Sequence, residues 1–203
     1  AQHDPRFASW RYFKFDIAPE YLAAALRTFR EKGFAGLNLT VPHKVLAFGQ
    51  IAAVDPAAQP VGAVNTLLAT EQGWRGCNTD GYGLATAIHE DLGLDVAGTD
   101  IVLLGAGGAA RGAAVECLHR GCRSLWIANR TASRLETLLA DLRPVSGQIP
   151  VQGFTPSAPP RDLPAGALVI NTTSAGLHEN DPLPADLSTL PRPRAVFDAI
   201  YNP

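Results

Sequence analysis

A glycine-rich turn constrains the fold of this chain more than any other feature of its sequence. Residues 99–121, TDIVLLGAGGAARGAAVECLHRG, predict a strand, a turn and a helix in direct succession. Gly105, Gly107 and Ala110 fit the pattern G-x-G-x-x-G/A, in which the first glycine permits a tight turn and the second lets the backbone approach a pyrophosphate. The helix start adds free N–H groups and a positive dipole end. Such a turn can also be a plain strand–helix connection, but its context favours a dinucleotide-binding site.

The segments after this turn continue the alternation of strands and helices. Strands are predicted in RSLWIANRT, ALVINTTSAG and RAVFDAIYNP, with a helix in SRLETLLADL after the first of them. Strands that alternate with helices indicate a parallel, doubly wound sheet. We therefore expect an α/β protein with a Rossmann-type dinucleotide domain over residues 84–203.

The segments before the turn predict a smaller α/β domain over residues 1–83. They predict a strand in WRYFKFDI, a helix in EYLAAALRTFREKG, a short buried strand in AGLNLT and a helix that starts at Pro42 and runs to about Ala53. GAVNTLLAT and GWRGCN predict an antiparallel hairpin, and NTDGYG predicts a capped helix start.

The end of the second Rossmann strand indicates which dinucleotide binds. An NAD site usually has Asp or Glu about 20 residues after the glycines, to hold the ribose 2′-hydroxyl. This chain has Asn129-Arg130-Thr131 there, and Arg134 follows one turn later. Guanidinium groups bind phosphate in a planar, bidentate way, so we expect NADP as the cofactor. The alternative is an arginine pair that only solvates a helix start.

Composition excludes several classes of function. The net charge is −2 and 46% of the residues are hydrophobic, so neither nucleic acid nor a membrane is an expected partner. No apolar run approaches the roughly 20 residues that a membrane span needs. The three cysteines lack metal-ligand spacing, which predicts reduced thiols, a cytoplasmic protein and no metal site. Because the chain begins at Ala1 and contains no methionine, we also expect it to lack its native start.

The segment NLTVPHK places Lys44 just after a proline at a predicted helix start, in a chain with few lysines. Asp80 begins another predicted helix, where a carboxylate is favoured. An ammonium group beside a carboxylate can stabilise negative charge on a substrate oxygen and deliver a proton to it. The competing interpretation of Lys44 is a solvated helix lysine. His43, next to Lys44, is interpreted as structural.

Seven motifs give the chain a resemblance to the shikimate dehydrogenase family over essentially its whole length. They are NLTVPHK, GAVNTL, NTDGYG, GAGGAARG, ANRT, INTTSAG and FDAIYNP, in the family's order and approximate spacing. The resemblance implies a substrate domain and an NADP domain with the active site between them. It also implies reduction of 3-dehydroshikimate to shikimate by hydride transfer, a step of aromatic amino-acid (chorismate) biosynthesis. The partner would be a small-molecule substrate, and the protein a monomer or a homodimer.

The same resemblance assigns roles to individual residues. It implies that Lys44 is the catalytic lysine, that Asp80 is its carboxylate partner, and that Thr40, Asn65 and Tyr201 surround the substrate. The implied cofactor contacts are Gly105, Ala106, Gly107, Gly108, Ala109, Asn129, Arg130, Thr131, Arg134, Thr172 and Ala199. Plainer roles remain open, because Thr40 could cap a helix, Asn65 could be a turn residue and Tyr201 could serve packing.

The chain departs from the family pattern at both ends. An N-terminal strand with a Ser-x-Ser pair and closing helices with a substrate-binding glutamine are expected outside residues 1–203. Within the family, quinate or an amino analogue of shikimate is the alternative substrate. A non-catalytic, NADP-binding relative that has lost its carboxylate-binding end is the alternative of a different class.

Overall fold

The computed structural model describes residues 5–176 and 180–200, and their strands form two separate sheets. The first sheet contains β1 (Gly36–Asn38), β2 (Ala53–Val54), β3 (Thr66–Thr70) and β4 (Gly73–Cys77) in the order β1-β3-β4-β2. β3 pairs antiparallel with β1 and with β4, and the register Thr70↔Gly73 confirms the predicted hairpin. β2 adds to β4 in parallel.

Two helices pack with this sheet. α1 (Leu22–Glu31) and α2 (His43–Phe48) contribute to a core whose buried side chains include Leu26, Val64 and Trp74. The indole of Trp74 donates a hydrogen bond of 2.9 Å to the carbonyl of Leu26, so the helix and the sheet are joined by a polar contact as well as by burial.

The second sheet confirms the prediction of a parallel, doubly wound fold. Its strands are β5 (Asp100–Leu104), β6 (Ser124–Ala128), β7 (Val151–Phe154), β8 (Leu168–Asn171) and β9 (Ala195–Asp198). They lie in the order β7-β6-β5-β8-β9, and every neighbouring pair is parallel. The near-continuous apolar runs of β5, β6 and β8 match this arrangement, because inner strands of a parallel sheet are buried on both faces.

Three further helices connect these strands and the two sheets. α4 (Gly108–His119) joins β5 to β6, and α5 (Ala132–Ser146) joins β6 to β7. α3 (Asp80–Leu92) leads from the first sheet to the second and ends at Gly93, whose φ of 62° is left-handed and favours glycine. The predicted domain division at residues 83 and 84 falls inside α3, whose buried side packs against α4.

Three local predictions were wrong. Residues 10–17 form no strand in the described structure; Phe15 packs instead against Phe29 and Phe34, with ring centroids 4.9 and 5.9 Å away. Contacts between aromatic rings do not require strand pairing, whereas a strand requires a hydrogen-bonding neighbour. α2 ends at Phe48 with Gly49 as its C-cap, and does not reach Ala53. β1, expected to be buried, is half-buried to exposed, because it lies at the edge of its sheet.

No helix in the described residues is long and apolar enough to cross a membrane. The same residues contain no group of three or more histidine, cysteine or acidic side chains placed to hold a metal ion.

Candidate active site

Two helix starts bring Lys44 and Asp80 together. Lys44 is the second residue of α2, Asp80 is the first residue of α3, and the lysine Nζ lies 2.7 Å from the aspartate Oδ2. Their side chains are 28% and 45% exposed, so solvent or a ligand can reach the pair. Because Lys44 and Asp80 are far apart in sequence, only the tertiary structure makes this contact.

Asn65 holds the other oxygen of the same carboxylate. Its side-chain amide donates a bond of 2.7 Å to Oδ1 of Asp80 and one of 3.1 Å to the hydroxyl of Thr79. Its carbonyl oxygen accepts the backbone N–H of Thr79 at 3.0 Å. Asn65 is 8% exposed, so these bonds satisfy a buried polar side chain. The carboxylate of Asp80 is therefore oriented by one donor on each oxygen.

Backbone bonds fix the loops that carry these side chains. The backbone N–H of Asn65 donates to Cys77 at 3.0 Å, and its carbonyl accepts from Leu39 at 2.7 Å. The carbonyl of Lys44 accepts the N–H of Val64 at 2.9 Å. These hydrogen bonds connect α2, the β3–β4 hairpin and the segment before α3, which together carry Lys44, Asn65 and Asp80.

Thr40 and His43 lie on either side of Pro42, the N-cap residue of α2. Thr40 is exposed, its carbonyl accepts the His43 N–H at 2.8 Å, and both residues line a cavity of about 420 Å³. His43 Nε2 lies 2.8 Å from the carbonyl of Ile17, so Nε2 carries the proton because a carbonyl only accepts. This bond ties α2 to the preceding segment. The third predicted substrate residue, Tyr201, lies outside the described residues.

Sequence reasoning missed two polar residues of this network. Thr79 contacts Asn65, and Asn78 accepts the Asp80 N–H at 3.0 Å while donating to the carbonyl of Ala63 at 3.1 Å. Both stand in the motif NTDG directly before Asp80. Polar residues ahead of a helix start are a recognisable capping signal, which could have indicated them.

The glycine turn has the room that a pyrophosphate needs. Gly105 has a φ of +113°, a conformation that glycine adopts readily, and its N–H donates to Ala128 at 2.8 Å. A Cβ placed on Gly107 or Gly108 would meet no heavy atom within 4 Å beyond the adjacent residues and, for Gly108, the backbone of its own helix. α4 starts at Gly108 with its backbone donors facing this open turn. The turn therefore fits a dinucleotide phosphate.

The end of β8 supports the turn from the other side. Thr172 donates its hydroxyl to the carbonyl of Leu104 at 2.8 Å, and its Oγ1 would lie 3.2 Å from a Cβ on Gly105. The buried side-chain amide of Asn171 donates a hydrogen bond of 3.0 Å to the Asp198 carboxylate. The backbone N–H of Ala199 donates to the Asn171 carbonyl, also at 3.0 Å. Thr172 and Ala199 thus lie at adjoining strand ends. Asn171 is a third polar residue that the sequence reasoning missed, after Thr79 and Asn78.

The second strand end presents the arginines predicted to bind phosphate. Asn129 donates to the carbonyl of Thr131 at 2.8 Å, and Thr131 is the N-cap residue of α5. Arg130 and Arg134 are exposed, and neither has an ion-pair partner among the described residues. Arg134 lines a small cavity with Ala106 of the glycine turn. Two unpaired guanidinium groups at a helix start suit a 2′-phosphate.

The three cysteines are free thiols. Burial, and then the Asp55 carboxylate, raise the pKa of Cys77. Burial raises the pKa of Cys122 to about 11, and burial raises the pKa of Cys117 further still. Such thiols stay protonated near neutral pH, so they do not act as nucleophiles.

The architecture, the glycine turn and the lysine–carboxylate pair together define a class of protein. A Rossmann-type sheet with an open glycine turn, joined to a smaller α/β unit with a lysine–carboxylate pair, is typical of two-domain NAD(P)-dependent dehydrogenases.

Known proteins narrow this class to one family. A model described as "Shikimate dehydrogenase substrate binding domain" matches residues 5–67. A shikimate dehydrogenase (NADP(+)) of Methylobacterium radiotolerans is 40% identical, over 95% of this chain and 68% of that protein. One from Moorella thermoacetica is 43% identical, over 95% and 65%. The crystal structure of a Thermus thermophilus shikimate 5-dehydrogenase in complex with NADP(H) and shikimate gives a TM-score of 0.75 at 33% identity, covering 93% of this chain and 67% of that one. The chain belongs to the shikimate dehydrogenase family.

The chain spans about two thirds of the length of these curated relatives. The family membership and the fold agree with the resemblance seen in the seven motifs.

Proposed function

We propose that this chain forms the catalytic core of an NADP-dependent shikimate dehydrogenase, which interconverts 3-dehydroshikimate and shikimate. The observation that carries the proposal is the Asp80 carboxylate, held on one oxygen by Lys44 and on the other by Asn65, each at 2.7 Å. The names of the curated relatives support both the activity and the choice of NADP.

The lysine–carboxylate pair suits the proton half of the reaction. NADPH, when bound, supplies the hydride that adds to the substrate carbonyl carbon. Negative charge then develops on the carbonyl oxygen, and the Lys44 ammonium stabilises that charge and delivers the proton. In the reverse direction Lys44 accepts the proton of the alcohol. Asp80 keeps the ammonium in place and balances its charge.

The cofactor half is assigned to three parts of the second sheet. The turn Gly105–Ala109 would hold the pyrophosphate, because its glycines leave open space and α4 directs backbone donors there. Arg130 and Arg134 would bind the 2′-phosphate, with Asn129 and Thr131 shaping the loop between them. Thr172 and Ala199 would line the rest of the cofactor site at the ends of β8 and β9.

The substrate half is assigned to Thr40, Asn65 and Tyr201 together with the catalytic pair. A small cyclohexane acid offers hydroxyl groups with which these side chains can form hydrogen bonds.

We further propose a cytoplasmic location, supported by three free thiols. A monomer and a homodimer are both compatible with this assignment.

A cofactor-by-substrate rate matrix on the complete polypeptide tests the proposal. NADP and NAD are each combined with shikimate and with quinate, and the initial rates of cofactor reduction are measured. We expect the NADP–shikimate rate to exceed the other three. A faster quinate rate would assign the protein to quinate oxidation, and NADP binding without turnover of either acid would indicate the non-catalytic alternative.

A further inference from the structure

α3 and α4 approach each other closely at Gly81. This glycine is buried, and a Cβ placed on it would lie 2.8 Å from the Glu116 Cβ and 3.0 Å from the carbonyl oxygen of Gly112. Cβ atoms essentially never come closer than 3.0 Å to such neighbours. The crossing therefore requires the absence of a side chain at this position.

The two helices that meet at Gly81 carry different parts of the proposed site: α3 begins with Asp80, and α4 follows the glycine turn. Gly81 directly follows Asp80 at the start of α3. Gly112 lies one turn inside α4, which begins at Gly108 directly after the open glycine turn. The separation of the two helices at Gly81 thus sets the separation between the lysine–carboxylate pair and the phosphate-binding turn.

The two helices differ in how far they can yield. α4 is buried along most of its length, and Ala110 and Ala114 are both 0% exposed. The start of α3 is a helix end, positioned by hydrogen bonds of Asn65 and of Asn78. Such bonds can lengthen, whereas a close-packed helix cannot move without displacing its neighbours. An added methyl group at position 81 would therefore displace the first turn of α3, with Asp80 on it, away from α4.

We propose that Gly81 is a positioning residue, which keeps Asp80 at the distance from the dinucleotide turn that hydride and proton transfer together require. This inference rests on the proposed function. A misplacement of about 1 Å at a site of this kind can lower the rate about 100-fold. Gly81→Ala should lower kcat at least tenfold. The KM for NADP should change by a smaller factor than kcat does.

The chain supplies a matched control in the same helix. Gly83 lies two residues further along α3, is exposed, and would have open space around a Cβ. Gly83→Ala makes the same chemical change and improves helix propensity, so kcat should stay within twofold of the parent and Tm should not fall.

A second-site change tests the contact itself. Glu116→Gly removes the two atoms that would lie 2.8 and 3.4 Å from the new methyl group, while the Gly112 carbonyl at 3.0 Å remains. Gly81→Ala combined with Glu116→Gly should therefore recover part of the lost kcat. Glu116→Gly alone measures the separate cost of a glycine in α4.

The experiment compares kcat, KM, the pH–rate profile and Tm for these variants of the complete polypeptide. A folded Gly81→Ala protein with reduced kcat, a displaced pH–rate profile and partial recovery in the double variant supports the inference. A kcat within twofold of the parent, or an equal loss in Gly83→Ala, overturns it.

A parent without NADP-dependent turnover contradicts the proposed function, and crystal structures then test the positioning independently. The parent and Gly81→Ala are compared by the distance from Lys44 Nζ to Asp80 Oδ2, which is 2.7 Å here, and by the separation of α3 and α4. A longer distance in the variant supports the inference, and unchanged distances overturn it.

Discussion

Asp80 connects the Lys44–Asn65 hydrogen-bond network of the first sheet to α3, the helix that leads to the second sheet. Its carboxylate accepts from Lys44 and from Asn65, while its backbone starts α3, the helix that leads to the Rossmann-type sheet. A change at this point alters charge, hydrogen bonding and helix start together, so single substitutions need controls that separate these effects.

The first residue-scale prediction concerns Lys44. Lys44→Ala should lower turnover by about 10²–10⁴-fold, because a general acid and base typically contributes that much. NADP affinity should stay nearly unchanged, since Lys44 lies outside the glycine turn. Steady-state kinetics and calorimetric titration of NADP measure the two effects. Lys32→Ala, which removes the same charge at the end of α1, is the control. Turnover within a few-fold of the parent would remove Lys44 from the mechanism.

The second residue-scale prediction tests whether Lys44 and Asp80 act as a unit. Asp80→Asn keeps the side-chain shape but removes the charge that faces the ammonium, so it should also lower turnover severely. The double variant with Lys44→Ala should lose much less than the product of the two single losses, because residues that act together are not additive. Fully multiplicative losses would show two independent roles.

The third residue-scale prediction concerns the pH dependence of stability. Burial raises the pKa of Cys122 from 9.0 to about 11, so the folded state holds the thiol proton more tightly than the unfolded state does. The free energy of unfolding should therefore fall as the pH rises from about 9 towards 11. Denaturant unfolding of the parent and of Cys122→Ala at several pH values measures the slope. An equally steep slope in Cys122→Ala would exclude this thiol as a cause.

At the scale of elements, the start of α5 is where the cofactor is chosen. Replacing both Arg130 and Arg134 with alanine should weaken NADP binding more than tenfold and barely affect NAD, since a charge-assisted phosphate contact contributes about 1.5–3 kcal/mol. Titration of each cofactor measures the change. Arg143→Ala, in the last turn of the same helix, is the control. Equal losses for NADP and NAD would mean that the pair supports the fold.

The element scale also shows where local patterns are sufficient. β3, β4, α3, α4 and the strands of the second sheet were predictable because propensity, caps and turns agree within each segment. Residues 10–17 were not, because alternating aromatics indicate a strand only when a partner supplies hydrogen bonds. In the described structure their rings pack against α1 and Phe34.

At the scale of the whole molecule, cofactor binding should stabilise the fold. A ligand that binds only the folded state at 100 times its Kd adds about 2.7 kcal/mol. For a chain of this size that corresponds to a rise in Tm of roughly 5–10 °C. Thermal unfolding with NADP, and with NAD at the same concentration, measures the difference. The larger shift should come from NADP and should shrink in the Arg130→Ala, Arg134→Ala variant; equal shifts would contradict the proposed 2′-phosphate site.

The sequence by itself determined the parallel sheet, the glycine turn, the arginines after β6 and the polar residues at the helix starts. These features are local, because they depend on turn geometry, strand and helix patterns and the chemistry of short segments. The family resemblance added the pairing of Lys44 with Asp80 and the likeness to shikimate dehydrogenases.

Only the tertiary structure decided how these segments meet. It brought Lys44 to 2.7 Å from Asp80, placed the Asn65 amide on the other carboxylate oxygen, and brought Gly81 against Gly112 and Glu116. No local pattern specifies such contacts, because they join residues distant in sequence and depend on how closely two packed helices can approach.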